Sequence, residues 1–259
     1  STPIKSSAAS DVYKRQGIFP FGERCFLRTD MYHQYAPFFS EFQYKLRTGG
    51  SLLYSWDVGM GVNFAALYAY YLASPLNWLI LLCPKKLIIE FMTIMIVIKI
   101  GLSGLSFAWY LKQHSKNCIL GVGFFGIFYA LSGYMAAYSW NIMWLDCIIL
   151  FPLIVLGLER LVKDGNGFFY CITLGLSILS NYYISIMTCL FMVLYFLFYL
   201  LRRRRTLDRV GKSFLRFAVG SLIGGGLVMF LLLPVAAALG DTSAAGGSTP
   251  EMTNKFDMF

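Results

Sequence analysis

Residues 165–201 read GNGFFYCITLGLSILSNYYISIMTCLFMVLYFLFYLL, a run without a single Asp, Glu, Lys or Arg. As one helix it would extend about 55 Å at 1.5 Å per residue, nearly twice a hydrocarbon core of ~30 Å. The run must therefore fold back, and the small polar pair Ser180-Asn181 is the place for the turn. Two membrane spans joined by a tight outer turn is the reading, and the rest of the chain is organised by the same solvent.

Composition agrees. The chain is 58% hydrophobic and 14% charged, against about 25% charged residues in an average soluble domain, which excludes an ordinary soluble fold. Six segments approach the ~20 apolar residues that a spanning helix needs: 88–111, 118–139, 143–161, 166–181, 183–201 and 216–239. The expected fold class is all-α, a polytopic transmembrane helical bundle of about six spans. The net charge of +9 would suggest nucleic acid in a soluble protein. Here the basic residues sit in short blocks between apolar runs, a topology signal, and no nucleic-acid partner is expected.

Lys112, His114 and Lys116 fill one loop, Glu159, Arg160, Lys163 and Asp164 another, and Arg202 to Arg216 a third. They alternate with loops around Asn141 and Asn181 that hold no Lys or Arg. The positive-inside rule makes the basic set cytoplasmic and turns Asp146 and Asn181 outward. Residues 58–84 are long enough to cross but hold Asn63, Tyr68, Tyr70, Tyr71 and Ser74-Pro75. Pro75 disfavours a helix through Ser74 and the tyrosines suit an interface, so this segment is expected to lie in the outer interface or re-enter.

The expected organisation has four parts. Residues 1–16 resemble translated vector sequence and are set apart as a non-native leader. Residues 17–87 form an extracytoplasmic loop of short interfacial or re-entrant helices, 88–239 the bundle, and 240–259 the start of an outer segment. The six cysteines lie in or beside apolar runs or alone, without metal-ligand spacing. Gly224-Gly225-Gly226 inside a span points to close helix packing or a local break.

Two buried-charge positions stand out. Lys99 lies near the middle of 88–111, about 16 Å from its start, too deep to snorkel easily. It should face the bundle interior and meet a carboxylate, backbone carbonyls or a lipid phosphate. Asp146, framed by Trp140 and Trp144, is an acid near the outward end of a span and a functional candidate on that ground.

The loop carries a resemblance. Asp30-Met31-Tyr32-His33-Gln34-Tyr35, Phe38-Phe39, Leu53-Tyr54-Ser55-Trp56, Gly59, Gly61, Tyr70-Tyr71-Leu72 and Ser74-Pro75-Leu76-Asn77 resemble the start of the YfhO family of bacterial membrane proteins. Leu131-Ser132-Gly133-Tyr134 and Trp140-Asn141-Ile142-Met143-Trp144-Leu145-Asp146 extend the likeness. It implies the C-type glycosyltransferase superfamily, multi-span enzymes that take a sugar from a polyprenyl-phosphate carrier on the outer face of the plasma membrane. The implied acceptor is a cell-wall polymer such as lipoteichoic acid, with a partner that synthesises the lipid-linked sugar. On the family pattern the chain reads as an amino-terminal fragment.

Asp30 matches the essential acid of the first outer loop and is expected to act as base or metal ligand, with simple N-capping of a helix at Met31 as its structural alternative. Asp146 is the second catalytic candidate, facing Asp30 across one outward cavity. Tyr32, Gln34, Tyr35, Trp56, Asp57, Asn141 and Lys99 are candidates for substrate binding. No residue is assigned as a metal ligand, since an Asp30/His33 pair is weak metal evidence, and a divalent cation stays open as cofactor.

Overall fold

The computed structural model describes residues 30–114, 119–202 and 207–240. The expected leader 1–16, Cys25, Cys118, the arginines at 24, 28 and 203–205, and the tail after 240 lie outside the described residues.

A π-helical turn, Met31–Tyr35, runs into α1, Ala36–Thr48. Pro37 suits the first turn of a helix, where its missing N–H is not needed. Gly49 closes the other end in the left-handed conformation, its N–H donating to the Lys45 carbonyl. Phe39, Phe42 and Gln43 recur at three- and four-residue spacing and form the buried face. A two-residue hairpin follows, β1 (Tyr54–Ser55) against β2 (Val62–Asn63), with Tyr54 opposite Asn63. Gly61 in its turn has φ +119°, and a Cβ there would strike the Tyr54 hydroxyl.

Asn63 then caps α2, Phe64–Leu67, by accepting from the Ala66 N–H. The helix widens into a π-helical turn, Tyr68–Leu72, and stops at Ala73. A 3-10 helix, Pro75–Leu82, leaves at 99° to it. The break falls where Pro75 restricts Ser74, whose hydroxyl caps the new helix at the Leu76 N–H. Gln43 of α1, fully buried, donates to the carbonyls of Ile80 and Cys83 and so ties the bent segment to the loop helix.

The bundle begins with α3, Ile88–His114, followed by α4, Ile119–Ala130, and a short α5, Gly133–Tyr138. Gly104 and Gly126 let α3 and α4 touch backbone to backbone: a Cβ on either would lie 3.0 Å from the other's carbonyl oxygen. Helix α6, Leu145–Asp164, is central and packs on α3 and on α7, Phe168–Ser180. Asn181 is extended, and α8, Tyr182–Arg202, starts directly after it. The charge-free run therefore folds back at the expected position. Last come α9, Leu207–Gly226, and α10, Met229–Gly240. They meet at 73°, so the expected span 216–239 is bent, with the break directly after the three glycines.

The protein is thus an all-α membrane bundle. Its span count differs from the six segments expected. Among the described residues three helices are long and apolar enough to cross alone, and five if each bent pair is one span. Helix α7 has 13 residues, about 20 Å of helix against a ~30 Å core. Helix α6 has the length but carries Asp146, Glu159, Arg160 and Lys163. Asp146 and Glu159 sit inside it because most of the helix from Leu145 to Val162 is buried in protein, whereas Lys163 at its end is exposed.

Three apolar clusters result among the described residues, the smallest packing Val228, Leu231 and Val235 against Ala69 and Ala73 of the bent segment. One joins the loop to the upper bundle through Tyr35, Phe39, Phe42, Phe64, Met92, Met95 and Leu145. Another, at the basic end, gathers Ile154, Leu158, Tyr170, Leu174, Met192, Phe196 and Phe217.

Candidate functional site

The loop and the turn before α6 meet at Tyr35. This tyrosine is buried, and its hydroxyl donates to Asn141 Oδ1 at 3.2 Å. Trp140 stacks parallel to its ring at 6.5 Å and Tyr71 lies tilted against it at 5.5 Å. Gln34 Nε2 donates to the Tyr71 hydroxyl at 3.2 Å, and Tyr70 reaches across to Tyr182 and Tyr183. Burial pushes the Tyr35 phenol well up from its ordinary value, and Tyr71, Asp30 and Tyr70 act in the same sense. It stays a protonated donor at neutral pH.

Asp30 opens the π-helical turn that carries Gln34 and Tyr35. It is exposed and its carboxylate makes no capping hydrogen bond. The structural alternative considered for it, holding the helix start, is therefore not what its side chain does. Its charge is close enough to Tyr35 and Tyr71 to act on both phenols. Tyr32, half-exposed, stands edge-on to His33 at 5.5 Å.

Two polar atoms of the Asn141 turn are buried without a partner among the described residues: Asn141 Nδ2 and Trp144 Nε1. Buried N–H groups without acceptors are rare and costly, roughly 1–3 kcal/mol each. Both are donors, the chemistry that receives hydroxyl or phosphate oxygens.

Asp146 goes elsewhere than expected. It is 4% exposed. Lys99 Nζ donates to its Oδ2 at 2.5 Å and to the Ile142 carbonyl at 3.1 Å, while Ser74 Oγ donates to its Oδ1 at 2.8 Å. The structure thus pairs Asp146 with Lys99 and the bent segment, not with Asp30. Lys99 is fully buried with protein partners. It is the interior lysine that sequence demanded, and its acid is now identified. The pair fixes Ser74 and the Asn141 turn relative to α3, which makes it a positioning device.

Trp56 and Asp57 lie apart, on the exposed hairpin. Trp56 packs edge-on against Tyr54, and the Asp57 N–H donates to Ser55 Oγ at 3.3 Å. Among the described residues neither shares a hydrogen bond or ring contact with the Tyr35 cluster. No group of three or more His, Cys, Asp or Glu able to hold a metal occurs among them. Asp30 and His33 alone do not make a metal site.

Sequence reasoning missed two features. A groove of about 350 Å³ lies over Cys147, Ile148 and Phe151 of α6, between Tyr129, Ser132 and Tyr134 on one side and Met187, Thr188 and Phe191 on the other. The sequence reading took 118–139 as one segment, so the helix break at Leu131-Ser132 that opens the groove was not foreseen. Glu159, placed by sequence in a basic loop, is buried; it accepts from Tyr195 at 2.6 Å and Tyr110 at 3.2 Å and pairs with His114 at 2.6 Å. Only the tyrosines at helical spacing on neighbouring spans hinted at it.

No curated protein and no solved structure matches the chain. A family model described as bacterial membrane protein YfhO matches residues 8–259, beginning inside the stretch set apart as a leader. With nearly the whole chain matched, the protein belongs to the YfhO family of bacterial membrane proteins.

Proposed function

We propose that the protein is a membrane glycosyltransferase that moves a sugar from a polyprenyl-phosphate carrier to an extracytoplasmic cell-envelope acceptor, with Asp30 as general base. What supports this reading is an exposed Asp30 carboxylate that makes no capping hydrogen bond, on the same helical turn as Tyr35, whose hydroxyl reaches the Asn141 turn where, among the described residues, two buried donors lack acceptors.

The acceptor hydroxyl gives its proton to the Asp30 carboxylate as its oxygen bonds to the anomeric carbon. The bond from that carbon to the phosphate oxygen breaks, and the carrier leaves as polyprenyl phosphate. Asp30 returns the proton to water. Donors from the Asn141 turn and Gln34 hold sugar or phosphate oxygens, and the aromatic wall of Tyr35, Tyr70, Tyr71 and Trp140 supplies faces for a sugar ring. The groove from Tyr129 to Phe191 accommodates the first units of the carrier chain. Inversion at the anomeric carbon follows from the superfamily likeness. On the same likeness the acceptor is a polymer such as lipoteichoic acid, the active face is extracytoplasmic in the plasma membrane, and a partner synthase supplies the lipid-linked sugar.

The test is sugar transfer by membranes carrying Asp30→Asn. A general base contributes typically 10²–10⁴-fold, so transfer should fall at least about a hundredfold with insertion unchanged. An inserted variant that transfers at full rate overturns the assignment. The second reading, a transporter or flippase of lipid-linked sugars, draws on Glu159, a buried acid at the opposite end of α6 from Asp146. Movement of lipid-linked sugar between leaflets without transfer would establish it. Neither activity in inserted protein would leave a non-catalytic envelope scaffold.

A further inference from the structure

At the basic end of the bundle, about 22 Å along α6 from Asp146, a second groove opens between α7 and α9. Its volume is about 520 Å³, within the range of ~300–1,000 Å³ typical of ligand sites. Leu161, Cys171, Gly220, Ile223 and Leu227 line it, and apart from Arg216 its lining is apolar or glycine. Arg216 marks one end, its guanidinium lying over Gly165, where a Cβ would come within 2.6 Å of it. Among the described residues no carboxylate lies within ion-pair distance of Arg216. The groove is closed on its inner side where α7 and α9 touch: a Cβ at Gly175 would stand 3.1 Å from the Gly224 carbonyl.

Its depth is informative. From Arg216 to its end at Gly226 α9 rises about 15 Å, half of a ~30 Å hydrocarbon core. With Arg216 set at headgroup level, a groove of this length would reach the midplane, near the bend between α9 and α10. One leaflet's acyl chain has this reach, and a cation waits at the depth of its phosphate. Exposed Lys163 and Lys212 add positive charge at the same end.

We infer that this groove is a binding site for an anionic phospholipid of the basic-side leaflet, its phosphate on Arg216 and one acyl chain along Gly220, Ile223 and Leu227. Juxtamembrane basic residues attract anionic lipid by about 1 kcal/mol each. The groove converts that diffuse attraction into a defined seat. The inference does not depend on the glycosyltransferase reading, whose residues lie at the other end.

The test is native mass spectrometry of the full chain in detergent, titrated with phosphatidylglycerol, with phosphatidylcholine of the same acyl chains, and with a polyprenyl phosphate. Phosphatidylglycerol should bind about tenfold tighter than phosphatidylcholine, about 1.4 kcal/mol. Arg216→Gln should erase that preference. Val219→Trp and Ile223→Trp, which fill the groove from half-exposed positions, should weaken both phospholipids together. Equal affinity for the two phospholipids, or a preference that survives Arg216→Gln, overturns the inference. So does a polyprenyl phosphate that binds more tightly than phosphatidylglycerol and is displaced by the tryptophans.

Discussion

A lysine at the middle of an apolar helix persists only if its charge is answered inside the protein, because each buried ion forfeits several kcal/mol of hydration. Lys99 is answered by Asp146 and the Ile142 carbonyl, and Asp146 in turn by Ser74. Removing one partner leaves the other charge stranded. Lys99→Met should therefore cost about 3–5 kcal/mol, read as lowered thermal stability of detergent-purified protein. Lys99→Met combined with Asp146→Leu should recover most of the loss, since a buried pair replaced by apolar groups is often neutral. Additive losses in the double variant would show that the two charges do not answer each other. Tyr35 poses the same question in neutral form: Tyr35→Phe keeps the ring wall and deletes the bond to Asn141, so stability should fall by about 1 kcal/mol, measured by the same unfolding assay.

At the scale of elements, the turn between α7 and α8 depends on one side chain. Asn181 Oδ1 accepts from the Ile184 N–H and Nδ2 donates to the Tyr70 carbonyl at 3.0 Å. It both caps α8 and fastens the bent segment above it. Asn181→Ala should lose the cap, about 1 kcal/mol, and free the Tyr70 strap besides. Proteolysis near residues 68–74 should accelerate more than cleavage elsewhere; uniform acceleration would mean the strap carries nothing. Helix α6 shows the complementary case. Its charges do not disqualify it from the bundle centre because Lys99, His114, Tyr110 and Tyr195 come from other helices to meet them.

For the whole molecule the decisive quantity is which face the loop occupies. Among the described residues the basic groups His114, Arg160, Lys163 and Arg216 gather at the end of the bundle where α3 and α6 finish, and Tyr35 and Asn141 lie where those helices begin. The positive-inside rule predicts that Thr48, exposed at the end of α1, lies outside. A Thr48→Cys variant should react with a membrane-impermeant maleimide added to intact cells. Labelling solely after access to the cytoplasmic side would invert the predicted topology and with it the side proposed for Asp30.

The amino-acid sequence by itself determined the solvent, the helical class, the turn at Asn181, the break at Ser74-Pro75 and the need of Lys99 for a partner. These are local or solvation properties, written in hydropathy, proline sterics and the cost of a buried charge. Which acid meets Lys99, that Tyr35 reaches Asn141 across 106 positions, that Glu159 turns inward, and that Trp56 and Asp57 stand apart were decided by tertiary structure alone. Side chains so distant along the chain meet only through helix packing, set by close approaches such as Gly104 on Gly126 and Gly175 on Gly224, and no spacing rule within one segment encodes that.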